Sequence, residues 1–166
     1  MKPPIHEPAP ARTLGWREWL ALPELNIPAI KAKIDTGAKT SALHTFRIEP
    51  CRRDGREFVR FWIHPLRTRT EVEIVCEAPV VDRRTVKDSG GHAEQRYVIL
   101  TRVQAGERQW PAEITLTGRD DMLFRMLLGR TALVEGGFSV DPGTSFLLGR
   151  KLARAYSRRK RSANLK

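Results

Sequence analysis

Ala32-Lys33-Ile34-Asp35-Thr36-Gly37-Ala38-Lys39-Thr40-Ser41 is the stretch that decides the fold. Before it, Ile30, Ala32 and Ile34 alternate with Lys31 and Lys33, the period-two pattern of a half-buried strand. The strand delivers the Asp35 carboxylate to a tight loop. Gly37 allows backbone geometry and close approach that other residues resist. Thr36 offers a hydroxyl that can reach a partner loop, and the small Ala38 lets the loop pack under a neighbouring strand. Taken alone, the same triplet also fits a turn acid at a strand end.

Outward from this segment the chain reads as strands. Residues 15–22, with Trp16 and Trp19, form a first strand closed by Pro23, and residues 27–34 a second. Residues 43–48 and 57–63 flank Arg53-Asp54-Gly55, a hairpin signal. Residues 71–76 alternate, and residues 97–103 and 110–117 are further strands around Gln104 to Glu107. Residues 83–96 are polar and hold Asp88-Ser89-Gly90-Gly91, which predicts a hairpin with a mobile tip. Apolar residues 122–128 end at Gly129-Arg130. Thr131 is placed to cap a short helix over 131–135 that stops at Gly136-Gly137, before a last short strand over 138–140. One short helix among many strands is an all-β pattern.

Bulk properties narrow the class. The 166 residues suit one domain with tails, and 40% hydrophobic content supports a core. Residues 1–13, rich in proline, read as a disordered tail, 14–149 as the domain, and 150–166 as a basic extension with nothing apolar enough to anchor it. That extension holds eight Lys or Arg and no acid, leaving 22 cationic and 19 anionic side chains before it, so the net +11 sits mainly in the tail. Nucleic-acid contact through the tail is the weaker reading, since Tyr156 is its lone aromatic. No apolar run is long enough to span a bilayer or to resemble a secretory signal, so a cytoplasmic protein without membrane contact is expected. Cys51 and Cys76 form no disulfide framework.

The downstream segment Met126-Leu127-Leu128-Gly129-Arg130-Thr131-Ala132-Leu133, then Gly136-Gly137-Phe138-Ser139-Val140, changes the weight of Asp35-Thr36-Gly37. Together they resemble retropepsins: an apolar strand into Asp-Thr-Gly-Ala, a flap hairpin, and an apolar-apolar-Gly-Arg stretch opening one short helix. The resemblance is closer to a bacterial branch often labelled ATP-dependent zinc protease, whose members occur beside ATP-grasp peptide ligases. It shares Lys33-Ile34-Asp35-Thr36-Gly37-Ala38-Lys39-Thr40-Ser41-Ala42-Leu43-His44 and the flap pattern Arg84 to Gly91.

The resemblance implies a closed retropepsin-like β-barrel with a flap hairpin and one short C-terminal helix. It implies an aspartic endopeptidase whose catalytic Asp35 meets its copy in a homodimer, because the chain holds one Asp-Thr-Gly. Asp120, Asp121 and Asp141 are the alternatives for a second carboxylate within one chain. Thr36, Gly37 and Ala38 would support the active loop, Gly129 and Arg130 would hold the final helix beside it, and Arg84, Lys87, Ser89, Gly90 and Gly91, with Lys39, would meet substrate. Arg83, Arg84, Lys87 and Arg96 make the flap basic, so an acidic, Glu-rich peptide is the expected substrate, supplied by an ATP-grasp ligase as functional partner.

The residues carry neither half of the label. There is no His-Glu-x-x-His, and His6, His44, His64 and His92 lack ligand spacing, so no metal site is expected. No Gly-x-x-x-x-Gly-Lys-Ser/Thr loop is present, so no cofactor is expected. The remaining alternatives are a peptide-binding module that keeps the fold without cutting, and a metal-dependent protease as the label states.

Overall fold

The computed structural model describes residues 12–87, 90–119 and 121–157. Its strands are β1 (Arg12–Gly15), β2 (Arg17–Leu22), β3 (Ile27–Asp35), β4 (Ser41–His44), β5 (Arg47–Arg53), β6 (Arg56–Ile63), β7 (Ile74–Lys87), β8 (Ala93–Ala105), β9 (Arg108–Thr117), β10 (Met126–Gly129) and β11 (Phe138–Asp141), with one α-helix, α1 (Arg130–Gly136). Six strands, in the order β2-β3-β10-β4-β9-β8, close into a barrel where Ala21 of β2 pairs with Gln104 of β8. Leu20, Ile30, Leu43, Ile99, Ile114, Met126 and Leu128 fill it and are fully buried. The fold is the retropepsin-like barrel that the sequence implies. No described helix is long and apolar enough to cross a membrane.

The position of β10 governs the site. It lies between β3 and β4, parallel to the first and antiparallel to the second. Residues 36–40, which join β3 to β4, must therefore pass over the C-terminal end of β10.

Several local expectations are corrected. The first strand breaks at Trp16, because Gly15 passes so close to Thr144 that a Cβ there would lie 2.4 Å from its carbonyl oxygen. The strand expected over 43–48 is two: Thr45 leaves the ladder to bond the Thr117 carbonyl through both its N–H (2.8 Å) and Oγ1 (2.9 Å). The strand expected over 71–76 begins at Ile74 and runs on to Lys87 as one arm of the flap. Asp54 and Gly55 form the hairpin turn as read, both at positive φ (52° and 77°).

The C-terminal segment is anchored, contrary to expectation. The Tyr156 hydroxyl donates to the Ala29 carbonyl at 2.5 Å, and Arg69 Nη1 donates to the Tyr156 carbonyl at 2.6 Å. One aromatic residue suffices because it reaches back onto β3. The proline-rich stretch through residue 11 and the end of the basic tail from residue 158 lie outside the described residues.

Glu18 clamps the other end of this wrapping. Its fully buried carboxylate accepts from Gly15 N (2.6 Å), Leu147 N (3.0 Å) and Leu148 N (3.0 Å). Hydrogen bonds to a buried charge are among the stronger ones. Glu18→Gln swaps one acceptor oxygen for a donor facing N–H groups. It is expected to cost about 2 kcal/mol in urea unfolding, and a loss under about 0.5 kcal/mol would mean that the clamp contributes nothing.

Candidate active site

Asp35 ends β3, paired in register with Gly129 of β10. Its half-buried carboxylate is turned back on its own loop: Oδ1 accepts from Gly37 N at 2.9 Å and Ala38 N at 3.2 Å. The loop is seated on α1 from below. Arg130 N donates to the Ala38 carbonyl (2.7 Å), Thr131 N to the Lys39 carbonyl (3.1 Å), and Arg130 Nη1 to the Thr36 carbonyl (3.0 Å). Gly129 N donates to Ser41 Oγ at 3.0 Å.

These bonds correct the expected helix cap. The helix opens at Arg130 with Gly129 as N-cap, and Thr131 makes no side-chain cap. The first N–H groups of any helix lack partners within it; here the carbonyls of the Asp35 loop take two of them. The cap is therefore the Asp35 loop itself, and the helix cannot shift without shifting the loop. Ser41 belongs to the same network. Sequence reasoning passed over it, because its partner lies 88 residues away.

The flap is the distal half of the β7–β8 hairpin, where residues 83–87 pair with 93–97. Gly90 and Gly91 are exposed at the tip, Gly91 at φ 82°, and Ser89 lies outside the described residues. Between the flap base and the Asp35 loop is a cleft of about 550 Å³, lined by Lys39, Thr40 and Ser41 on one side and by Arg84 and Lys87 on the other, with Glu135 of α1 at its edge. Asp35 does not itself line this cleft.

The charge of the flap differs from the sequence expectation. Arg84 is held by Asp82 (2.8 Å) and Glu113 (2.7 Å), Arg96 by Glu94 (3.2 Å), and Arg83 by Glu57. Three of the four flap cations are thus engaged by acids, two of which come from other strands. Lys39 and Lys87 have no ion-pair partner among the described residues. Of the alternative carboxylates, Asp141 is occupied in its own turn, accepting from Gly143 N at 3.0 Å. Asp121 is exposed, and Asp120 lies outside the described residues.

Among the described residues no three His, Cys, Asp or Glu side chains converge as a metal site would require. Cys76 donates to the Leu25 carbonyl at 3.4 Å, and burial pushes its thiol up to about 12, which makes it a poor thiolate ligand.

His44 ends the run that begins at Lys33, and it is buried, with Nδ1 2.5 Å from Thr117 Oγ1. Burial, then Arg96, Arg119 and Arg125, push its pKa down to about 4, against a smaller pull from Asp121. The folded state therefore keeps a neutral imidazole where the unfolded chain, near 6.5, takes up a proton. Stability is full above about pH 6.5 and falls as pH drops toward about 4, by on the order of 3 kcal/mol. Urea midpoints of the wild type should fall across this window, and those of His44→Asn should fall less. Parallel curves would rule out His44 as the source.

With this geometry in place, the comparisons are specific. A family model described as RimB-like, retropepsin-like aspartic endopeptidase RimB, matches residues 13–151. The chain belongs to the RimB-like family. Similar proteins include a probable alpha-L-glutamate ligase of Shewanella pealeana, 47% identical over 138 residues that make up 83% of this chain and 30% of that protein. One of the same name from Desulfotalea psychrophila is 43% identical over 151 residues, 89% of this chain and 32% of that protein. The RimB-like chain thus spans about a third of the length of these relatives. Among solved structures, a Legionella pneumophila protein of unknown function superposes with a TM-score of 0.70 at 29% identity, covering 84% of this chain and 99% of that one.

Proposed function

We propose that this RimB-like chain is an aspartic endopeptidase that acts as a homodimer on Glu-rich peptides. The observation that carries the proposal is the seating of the Asp35 loop on α1, which fixes one carboxylate at a strand end in a chain with one Asp-Thr-Gly. A second copy supplies the second carboxylate across a two-fold axis. Two carboxylates that close share one proton, because both cannot ionise cheaply. The ionised one takes a proton from a water, whose oxygen attacks the scissile carbonyl, and the protonated one donates to the carbonyl oxygen. Collapse of the tetrahedral species breaks the C–N bond, with the proton passing to the leaving amine. The pair titrates as a unit, so its pH profile belongs to neither Asp35 alone.

In this reading Thr36 braces the partner loop, Gly37 and Ala38 orient the carboxylate, and Gly129 and Arg130 hold the loop on α1. Arg84 shapes the flap base through its acids, Ser89, Gly90 and Gly91 meet the substrate, and Lys39 and Lys87 face its acidic side chains. Support for a glutamate-rich substrate comes from the relatives' name: a glutamate ligase makes glutamate-bearing products. Since the chain matches about 30% of their length, the ligase name can describe the remainder of those proteins, and a glutamate ligase, of the ATP-grasp type that the sequence resemblance implies, is the proposed functional partner.

The test is incubation with Glu-rich peptides in chelator from pH ~4 to ~8, read by mass spectrometry, with Asp35→Asn alongside. Cleavage that survives chelator and disappears in Asp35→Asn is expected. Cleavage abolished by chelator would identify a metal peptidase instead, and binding without cleavage would identify a peptide-binding module.

A further inference from the structure

The outer face of β3 holds more than Asp35. Burial alternates from Ile30 to Asp35, so Lys31, Lys33 and Asp35 share the outward face. Arg17 of β2 pairs with Lys33, and Trp19 with Lys31, which places both on that face too. Alternate residues on a strand are about 7 Å apart. The row therefore runs about 13 Å from Asp35 back to Lys31. There it enters a second cleft, of about 380 Å³, bounded by Trp19, Lys31, Leu66, Arg67 and Leu123.

These cations differ from six arginines elsewhere on the surface. Arg53, Arg60, Arg83, Arg84, Arg96 and Arg102 all have carboxylate partners. Among the described residues Arg17, Lys31, Lys33 and Arg67 have none, and no acid lines the second cleft. At two of them rings take the place of acids: the Arg17 guanidinium lies 4.7 Å from the Trp16 ring centre and 4.8 Å from that of Phe146, and Lys31 Nζ lies 5.7 Å from that of Phe124. Ring faces hold a cation in place without neutralising it. The crowding is felt at Lys31, whose pKa is lowered by burial and then by Arg17, Arg67 and Arg150. An arriving anion relieves that repulsion.

We infer that the row Lys33, Arg17 and Lys31, ending in the cleft beside Arg67, is a docking track for the carboxylates of an acidic peptide whose scissile bond lies at Asp35. The inference rests on the endopeptidase reading for its occupant. The track is continuous with Asp35 on one strand face, and an extended peptide repeats its side chains at the same ~7 Å interval, so alternate glutamates of the substrate meet successive cations. Substrate length, beyond the residues flanking the cut, then sets affinity.

Lys31→Gln/Arg67→Gln in the full chain tests this, since both residues are surface cations remote from the Asp35 loop. Two peptides share one cleavable sequence, and one is extended at both ends by about six glutamates, enough to cover the ~13 Å row. The long-over-short ratio of kcat/KM is expected to fall about tenfold through KM, and Lys31→Arg/Arg67→Lys to keep it. An unchanged ratio in the Gln pair overturns the inference. A second arm measures oligoglutamate binding in the Asp35→Asn background by fluorescence polarisation. Weakening of about tenfold with the Gln pair is expected, and full retention overturns the track. This arm decides even if the wild type cleaves nothing, an outcome that would remove the endopeptidase reading alone. Loss of oligouridylate binding with retained oligoglutamate binding would assign the cations to nucleic acid and overturn the inference.

Discussion

Asp35→Asn subunits mixed into wild-type protein are expected to remove peptidase activity as the square of the wild-type fraction. The single variant should lose at least about a thousandfold in kcat, because an amide can neither accept the proton of the attacking water nor donate one to the carbonyl. Its stability should stay within about 0.5 kcal/mol of wild type. The Asn oxygen can still accept from Gly37 N and Ala38 N, as Asp35 Oδ1 does. The mixture is the sharper experiment. If each site takes one carboxylate from each of two chains, an Asp/Asn heterodimer lacks half its dyad. An equal, fully exchanged mixture then retains about a quarter of the wild-type activity. A linear decline to about half would mean that each chain carries a complete site. The square law also separates a homodimer from a chain that merely requires a different partner.

What the sequence made legible was local. The alternation of Ile30, Ala32 and Ile34 gives β3 and the outward face of Asp35 directly, because strand periodicity needs no knowledge of neighbours. Asp54-Gly55 specifies its own turn. The features that escaped are those whose partners are far along the chain. The insertion of β10 between β3 and β4 joins segments about 90 residues apart, and so hides why the helix needs no side-chain cap. The flap looks cationic along residues 83–96 because Glu57 and Glu113, which engage Arg83 and Arg84, lie on other strands. Tyr156 likewise looked isolated because its partner, Ala29, is 127 residues away. The same limit bears on substrate recognition. Cations counted along the flap overstate its field, whereas Arg17 and Lys31, inconspicuous in sequence, have no acid partner among the described residues.

Gly129→Ala is expected to be a severely damaging one-methyl change at the site, costing about 4 kcal/mol in unfolding free energy and removing cleavage even where protein remains folded. A Cβ at this position would lie 2.6 Å from both the carbonyl carbon and the oxygen of Thr40, and 3.0 Å from the Ala38 oxygen. All three are backbone atoms of the loop that crosses β10, so no rotamer change can make room. Either the loop lifts or β10 withdraws. Lifting the loop breaks the bonds from Arg130 N to Ala38 and from Thr131 N to Lys39, leaving helix N–H groups without partners. It also pulls Thr36 from Arg130 Nη1 and Ser41 Oγ from Gly129 N. These are the contacts that seat the Asp35 loop on β10 and α1, so activity should fall further than stability does. Gly118→Ala is the control, since its added Cβ meets nothing within 4 Å, and its unfolding free energy should stay within about 0.5 kcal/mol of wild type. Urea unfolding and peptide cleavage on the two variants decide the matter. Gly129→Ala within about 1 kcal/mol of wild type, with cleavage intact, would mean that the loop is not seated on β10 and that the geometry around Asp35 is held by something else.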